Sequence, residues 1–184
     1  MRLLGIVGSP RRGGNTHTLV SRVLEGAEDG GATSDLVLLG ELTVTECDGC
    51  HACWTEGDCT QGDDMNALYP RLAQADVIVF GTPVYWYGPT ALMKAFLDRF
   101  VFFNCPEHRP QVRGTRAALV VPFEEPDERT AELVVAMFDR SFEYLEVERA
   151  GLLLAPGVTR RGEVREHDAL MTRARDLGRS LART

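Results

Sequence analysis

The stretch from residue 3 to residue 16 constrains the fold most. Leu3, Leu4, Gly5, Ile6 and Val7 make a short apolar run, long enough for one buried strand. Gly8, Ser9, Pro10, Arg11, Arg12, Gly13, Gly14, Asn15 and Thr16 then supply turn chemistry. After Thr16, Leu19, Val20, Val23 and Leu24 recur at helical spacing. Strand, glycine-rich turn and helix N-terminus together form an anion site. The first helical N–H groups have no internal acceptor, and the helix dipole favours negative charge there. Ser9, Asn15 and Thr16 add donors, and Arg11 and Arg12 add positive charge. The same stretch also suits an ordinary βα turn capped by Asn15. Two arginines and three side-chain donors favour the anion.

The anion is read as one phosphate monoester. The dinucleotide pattern G-x-G-x-x-G is absent, as is a P-loop ending in Gly-Lys-Ser/Thr. A phosphatase loop is poorly supported, because no cysteine has an arginine six residues further on.

Strand and helix patterns alternate to the end of the chain. Strands are predicted over 3–7, 34–39, 76–81, 116–121 and 148–154. Helices are predicted over 16–28, 65–74, 127–144 and 165–182, with another starting after Pro89 and running to about residue 103. Gly30 and Gly31 mark the first helix end. Asp63 or Asp64 is expected to cap the helix that follows the long cysteine-rich loop at 41–62. Pro70 falls inside that helix and is expected to disturb it. Five βα units imply an α/β fold, with a parallel sheet between two helical layers. The flavodoxin-like doubly wound order 2-1-3-4-5 is expected, in one domain over residues 1–184. Ligands then bind beyond the carboxyl ends of strands 1 and 3.

That rule brings a second loop to the first. Thr82, Pro83, Val84, Tyr85, Trp86, Tyr87, Gly88 and Pro89 hold three adjacent aromatics. They offer a flat apolar wall to a planar ring whose phosphate is held by the first loop. Packing against a helix or a partner chain would use the same residues. With both loops together, a mononucleotide with a large planar head is favoured, and FMN fits.

These residues resemble the NAD(P)H-dependent FMN reductase and iron–sulfur flavoprotein family, over nearly all of residues 1–155. The resemblance is carried by Gly8-Ser9-Pro10-Arg11 with Gly14-Asn15-Thr16, by Cys47-x-Gly49-Cys50-x-x-Cys53, and by Asp63-Asp64-Met65. Thr82 to Gly88, leading to Lys94-Ala95-Phe96-Leu97-Asp98-Arg99, completes it. It implies that Ser9, Arg11, Asn15 and Thr16 bind the FMN phosphate. It implies that Pro83, Val84, Tyr85, Trp86, Tyr87 and Gly88 line the ring. One departure is the loop after strand 4, Pro122-Phe123-Glu124-Glu125-Pro126, acidic where the family often has glycines. Its charge would disfavour the extra phosphate of NADPH.

Cys47, Cys50, Cys53 and Cys59 follow C-x2-C-x2-C-x5-C. Such spacing on a loop suits one [4Fe–4S] cluster, and the resemblance implies the same set of ligands. Zinc is a rival, and so are plain thiols. His51 is read as exposed and Cys105 as no ligand. His17 is read as a surface histidine with a possible phosphate contact. Lys94, Asp98 and Arg99 are read as surface or interface charges.

The chain has 184 residues, 44% hydrophobic and 26% charged, with net charge −7. The acidic balance argues against nucleic acid and anionic membrane. No run approaches the about 18 apolar residues of a membrane span, and the start is too short for a signal peptide. A cytoplasmic protein is expected, with reduced cysteines. A homodimer is expected through the helix after Pro89, because Tyr85–Tyr87, Phe96, Phe100, Val101, Phe102 and Phe103 exceed one ligand's needs.

The functional expectation is an FMN-dependent oxidoreductase. NAD(P)H is its donor, and flavin, quinone or a similar acceptor takes the electrons. No protein side chain is expected to be catalytic, since flavin carries the chemistry. The alternatives are an iron–sulfur electron carrier serving a protein or small-molecule acceptor, and a non-catalytic flavin- or metal-binding module.

Overall fold

A computed structural model describes residues 1–183. Thr184, the last residue of the expected domain, lies outside the described residues. The strands are β1 (Arg2–Val7), β2 (Thr33–Leu38), β3 (Val77–Gly81), β4 (Arg116–Pro122) and β5 (Glu148–Ala155). All neighbours pair in parallel, and the order is β2-β1-β3-β4-β5, as expected.

The helices are α1 (Asn15–Asp29), α2 (Ala52–Thr55), α3 (Met65–Ala73), α4 (Ala91–Asp98), α5 (Val101–Asn104), α6 (Glu132–Leu145) and α7 (Asp168–Leu181). Strand residues alternate between two cores, as a sheet covered on both faces requires. Leu4, Ile6, Ile78, Phe80, Leu119 and Val121 pack with side chains of α3, α4, α5 and α6. Leu3, Val7, Val77, Val79, Ala118 and Val120 pack with those of α1 and α7. Helices α1 and α7 approach closely because both carry glycine at the contact. A Cβ on Gly178 would stand 1.9 Å from the Val23 carbonyl oxygen, and one on Gly26 2.0 Å from that of Arg175.

Several expectations need correction. The helix predicted after Pro89 to about residue 103 is two helices, broken at Arg99 and Phe100. Its start is set by Thr90, whose hydroxyl accepts from the Met93 N–H at 3.1 Å, so Pro89 stays outside. The break tightens the backbone, with Arg99 N–H donating to Phe96 and Phe100 N–H to Leu97. The apolar surplus after Pro89 is largely internal, since Phe96, Phe102 and Phe103 are buried in the chain's own core. Those phenylalanines therefore give no ground for an interface. Asn15 does not cap α1, whose cap position is Gly14. Asp63 caps α3 from one residue further out, its Oδ1 accepting from Met65 N–H at 3.1 Å. Pro70 is accommodated inside α3. The first turns predicted for the last two helices are 3-10 turns at Glu128–Ala131 and Glu163–Glu166. The cysteine-rich loop contains the single turn of α2.

Candidate functional site

The turn after β1 is shaped by its own donors and acceptors. Ser9 Oγ accepts from Arg11 N–H at 3.2 Å, which leaves its proton free to donate outward. Gly14 N–H donates to the Arg11 carbonyl at 2.8 Å. Gly13 has φ +69°, a left-handed conformation that favours glycine. Its N–H donates to His17 Nδ1 at 2.9 Å. Burial holds the His17 pKa below its usual value, with Arg12 and Arg165 acting in the same direction. A neutral imidazole can accept that hydrogen bond, so His17 braces the turn. The first-turn N–H groups of Asn15, Thr16 and His17 have no intrahelical acceptor.

The turn meets the second loop at the carboxyl edge, as expected. Ser9, Arg11, Asn15, Thr16, Pro83, Val84 and Tyr85 line one cleft. Trp86, Tyr87 and Gly88 do not line it. Tyr85 and Gly88 exchange backbone hydrogen bonds of 2.8 and 3.0 Å, closing a tight turn. Trp86 and Tyr87 occupy its two central positions at φ 49° and 60°. That geometry turns the Trp86 side chain out, where it is 97% exposed.

The cleft is completed by residues not singled out from the sequence as ligands. Pro122, Phe123 and Glu124 enter from the β4 end, and Val158 and Thr159 from the β5 end. The carboxyl-edge rule that found the first two loops also points to these two. The segment after β5 is stitched onto the first turn. Asn15 Nδ2 donates to the Arg160 carbonyl at 3.0 Å, and Val164 N–H donates to Asn15 Oδ1 at 3.2 Å. Arg11 donates to the Thr159 carbonyl at 3.3 Å, Arg165 to that of Gly13 at 3.3 Å, and Arg161 to that of Arg12. Asn15 is therefore as much a brace as a ligand.

The four motif cysteines line one cavity, together with His51, Gln61, Tyr69, Arg99 and Phe102. All are free thiols. Gly49 N–H donates to Cys47 Sγ at 3.4 Å, and Cys50 Sγ lies 3.8 Å from Thr60 Oγ1. Burial pushes the Cys53 thiol up, and the Cys59, Cys105 and Cys47 sulfurs add to this. His51 is exposed, as read, with a left-handed φ of 60°. Among the described residues, no three or more His, Cys, Asp or Glu side chains are gathered for a metal ion.

Arg99 overturns its reading as a surface charge. Its side chain is 1% exposed, and it forms an ion pair of 2.6 Å with Asp63, itself 7% exposed. Its Nη2 donates to Cys59 Sγ at 3.1 Å. Lys94 and Asp98 do pair with each other on the outside. No helix among the described residues is long and apolar enough to cross a membrane.

The NADPH-dependent FMN reductase family model matches residues 1–155. The chain belongs to that family. It is one of the flavin-dependent oxidoreductases that work with a nicotinamide nucleotide, which sets aside the non-catalytic module. An iron–sulfur flavoprotein of Archaeoglobus fulgidus is 30% identical over 185 residues, 99% of this chain and 79% of that protein. One from Methanosarcina thermophila is 37% identical over 104 residues, 56% of this chain and 54% of that protein. That match spans about half of the Methanosarcina protein. An NAD(P)H:quinone oxidoreductase from Methanothermobacter marburgensis shares the fold, with TM-score 0.79 and 18% identity over 100% of this chain and 97% of that one.

Proposed function

We propose that FMN binds in the cleft between the four loops, phosphate at the N-terminus of α1 and ring against Pro83, Val84 and Tyr85. The carrying observation is that Ser9, Arg11, Asn15, Thr16 and Tyr85 line the same cleft. Ser9 and Thr16 hydroxyls, first-turn N–H groups and the Arg11 guanidinium fit a phosphate. When bound, FMN accepts a hydride from NAD(P)H and passes electrons to a flavin, quinone or similar acceptor. The chain's part is to anchor, orient and cover it. The test is titration of flavin-free protein with FMN and riboflavin, followed by NAD(P)H oxidation with a quinone. Equal affinity for both flavins would overturn the phosphate assignment.

A second reading concerns the cysteine loop. Its support is that four thiols and a buried guanidinium line one cavity. Cys47, Cys50, Cys53 and Cys59 would hold one [4Fe–4S] cluster, which stores single electrons. In this reading the protein is an electron carrier for a small-molecule or protein acceptor. Iron, sulfide and zinc analysis of anaerobically prepared protein distinguishes cluster, zinc and plain thiols. Both readings place the chain in a reducing cytoplasm, as one domain. Both keep a homodimer, now resting on exposed Tyr85, Trp86 and Tyr87.

A further inference from the structure

The turn at the proposed phosphate site is surrounded by more positive charge than one phosphate uses. Arg11 and Arg12 come from the turn itself, and Arg160, Arg161 and Arg165 from the segment after β5. The nearby carboxylates neutralise only some of these. Arg12 pairs with Glu41 at 2.8 Å, and Arg160 pairs with Glu163 at 3.2 Å and Glu166 at 2.9 Å. Arg11, Arg161 and Arg165 are held instead by backbone carbonyls, those of Thr159, Arg12 and Gly13.

The segment is shaped to present them. Glu163 accepts from the Thr159 and Arg160 N–H groups, each at 2.7 Å, which closes the turn before Arg161. Gly162 has φ +75°, and a Cβ on it would stand 2.1 Å from Arg165 Nη1. The glycine thus leaves the space through which the Arg165 guanidinium reaches Gly13. Arg161 and Arg165 both remain exposed to solvent. Each gives a carbonyl one of its donors, and the rest of the planar fork is open to an anion. The positive field of Arg12 and Arg165 is felt at His17, whose protonation both oppose.

We propose that Arg161 and Arg165 bind the diphosphate of the nicotinamide dinucleotide donor at the β5 side of the cleft. The proposal rests on FMN binding as placed above. Ser9, Thr16, Arg11 and the first-turn N–H groups serve the FMN phosphate. The outer pair is then left for the second phosphate-bearing molecule that the reaction requires. The donor's nicotinamide has to stack on the flavin ring to deliver hydride, so its charged part leaves through the mouth of the cleft. The walls there differ in sign. Glu124 from the β4 end repels a diphosphate, and the arginines that follow Thr159 attract it. Guanidinium forks match the adjacent oxygens of a diphosphate, and they also offset its repulsion from the FMN phosphate.

The test uses the full chain loaded with FMN, with a quinone as acceptor. NADH and reduced N-benzylnicotinamide, a hydride donor without phosphate, are compared in wild type, R161Q/R165Q and R161K/R165K. R161Q/R165Q is expected to raise KM for NADH roughly tenfold, the worth of a charge-assisted hydrogen bond, with kcat little changed. Its rates with reduced N-benzylnicotinamide should match those of wild type. R161K/R165K, which keeps the charge, should lie between the two. Calorimetric titration with NAD+ reads the same loss of affinity without turnover. Added salt should raise the wild-type KM for NADH more than that of R161Q/R165Q. Equal losses with both donors would show that the arginines only brace the turn, and an unchanged KM for NADH would show that they do not meet the diphosphate. Either result overturns the proposal. A wild type that does not bind FMN would instead overturn the FMN reading on which it rests.

Discussion

Asp63 and Arg99 are 36 residues apart in sequence and 2.6 Å apart in space, both nearly inaccessible to water. Their pairing ties the end of the cysteine-rich loop to the end of α4. Breaking a buried pair by removing one partner leaves a charge stranded, at a cost of about 3–5 kcal/mol. Asp63→Ala and R99M are each expected to lower unfolding free energy by that order. The double variant R99M/D63N is expected to recover part of the loss. Urea unfolding measures all three.

The same pair predicts a pH dependence. Burial pushes the Asp63 carboxyl up, but the N–H of Thr45, the Arg99 guanidinium, the Thr45 hydroxyl and the N–H of Met65 outweigh it and hold it below the usual range. A depressed carboxyl contributes stability that is present above its unfolded pKa, about 3.9. That stability is lost as pH falls through the lower folded value. Stability measured against pH should therefore fall less steeply below about pH 4 in D63N than in wild type. Parallel slopes would show that Asp63 does not carry this dependence.

The phosphate site gives a prediction of affinity. Each charge-assisted hydrogen bond is worth about 1.5–3 kcal/mol. Ser9→Ala is expected to weaken FMN binding by about that amount, roughly tenfold or more, and to leave riboflavin affinity nearly unchanged. Asn15→Ala should also weaken FMN. Unlike Ser9→Ala, it should loosen the segment after β5, because it loses both the Arg160 and Val164 contacts. Fluorescence titration reads the first effect, and amide hydrogen exchange over residues 158–166 reads the second.

The sheet order was legible because each strand and helix has its own period and punctuation, as in the run from Leu3 through Gly14 to Leu24. The meeting of the first two loops followed from that order. Arg99 was not legible. It follows Lys94 and Asp98 on a stretch that reads as a charged helix surface, and only the helix end turns it inward toward Asp63. Trp86 was misleading for a similar reason. An aromatic triplet in the sequence does not reveal which rings face the cleft, because the turn joining Tyr85 to Gly88 sets their directions. Val158 and Thr159 lie in unremarkable sequence and gain a role only by standing at the carboxyl edge, whereas Phe123 and Glu124 stood out by the loop's acidity and not as cleft-lining residues.

Trp86 and Tyr87 hold a left-handed backbone that costs roughly 1–2 kcal/mol per residue relative to more permissive residues. Two positive φ values at the centre of a tight turn favour Asn-Gly. The variant W86N/Y87G is expected to be as stable as wild type or more so, by about 1 kcal/mol after the glycine entropy is counted. If a second copy covers the exposed indole, the same variant should weaken the dimer. Thermal unfolding with sedimentation equilibrium separates the two effects. A more stable variant with unchanged assembly would move the dimer contact elsewhere.

Glu124 gives the last prediction, because it brings a negative charge into the cleft wall beside the proposed flavin. NADPH differs from NADH by one phosphate, so a nearby carboxylate opposes it selectively. Two like charges about 4 Å apart in water repel by about 1 kcal/mol, and by less at greater distance. Glu124→Gln is therefore expected to raise kcat/KM for NADPH relative to NADH by roughly two- to fivefold at low ionic strength. Salt screens exposed charges, so the gain should shrink as salt rises. FMN affinity should rise only slightly, since its phosphate is held at the N-terminus of α1. A donor ratio that does not move at low salt would place the nicotinamide nucleotide's phosphates away from the β4 loop.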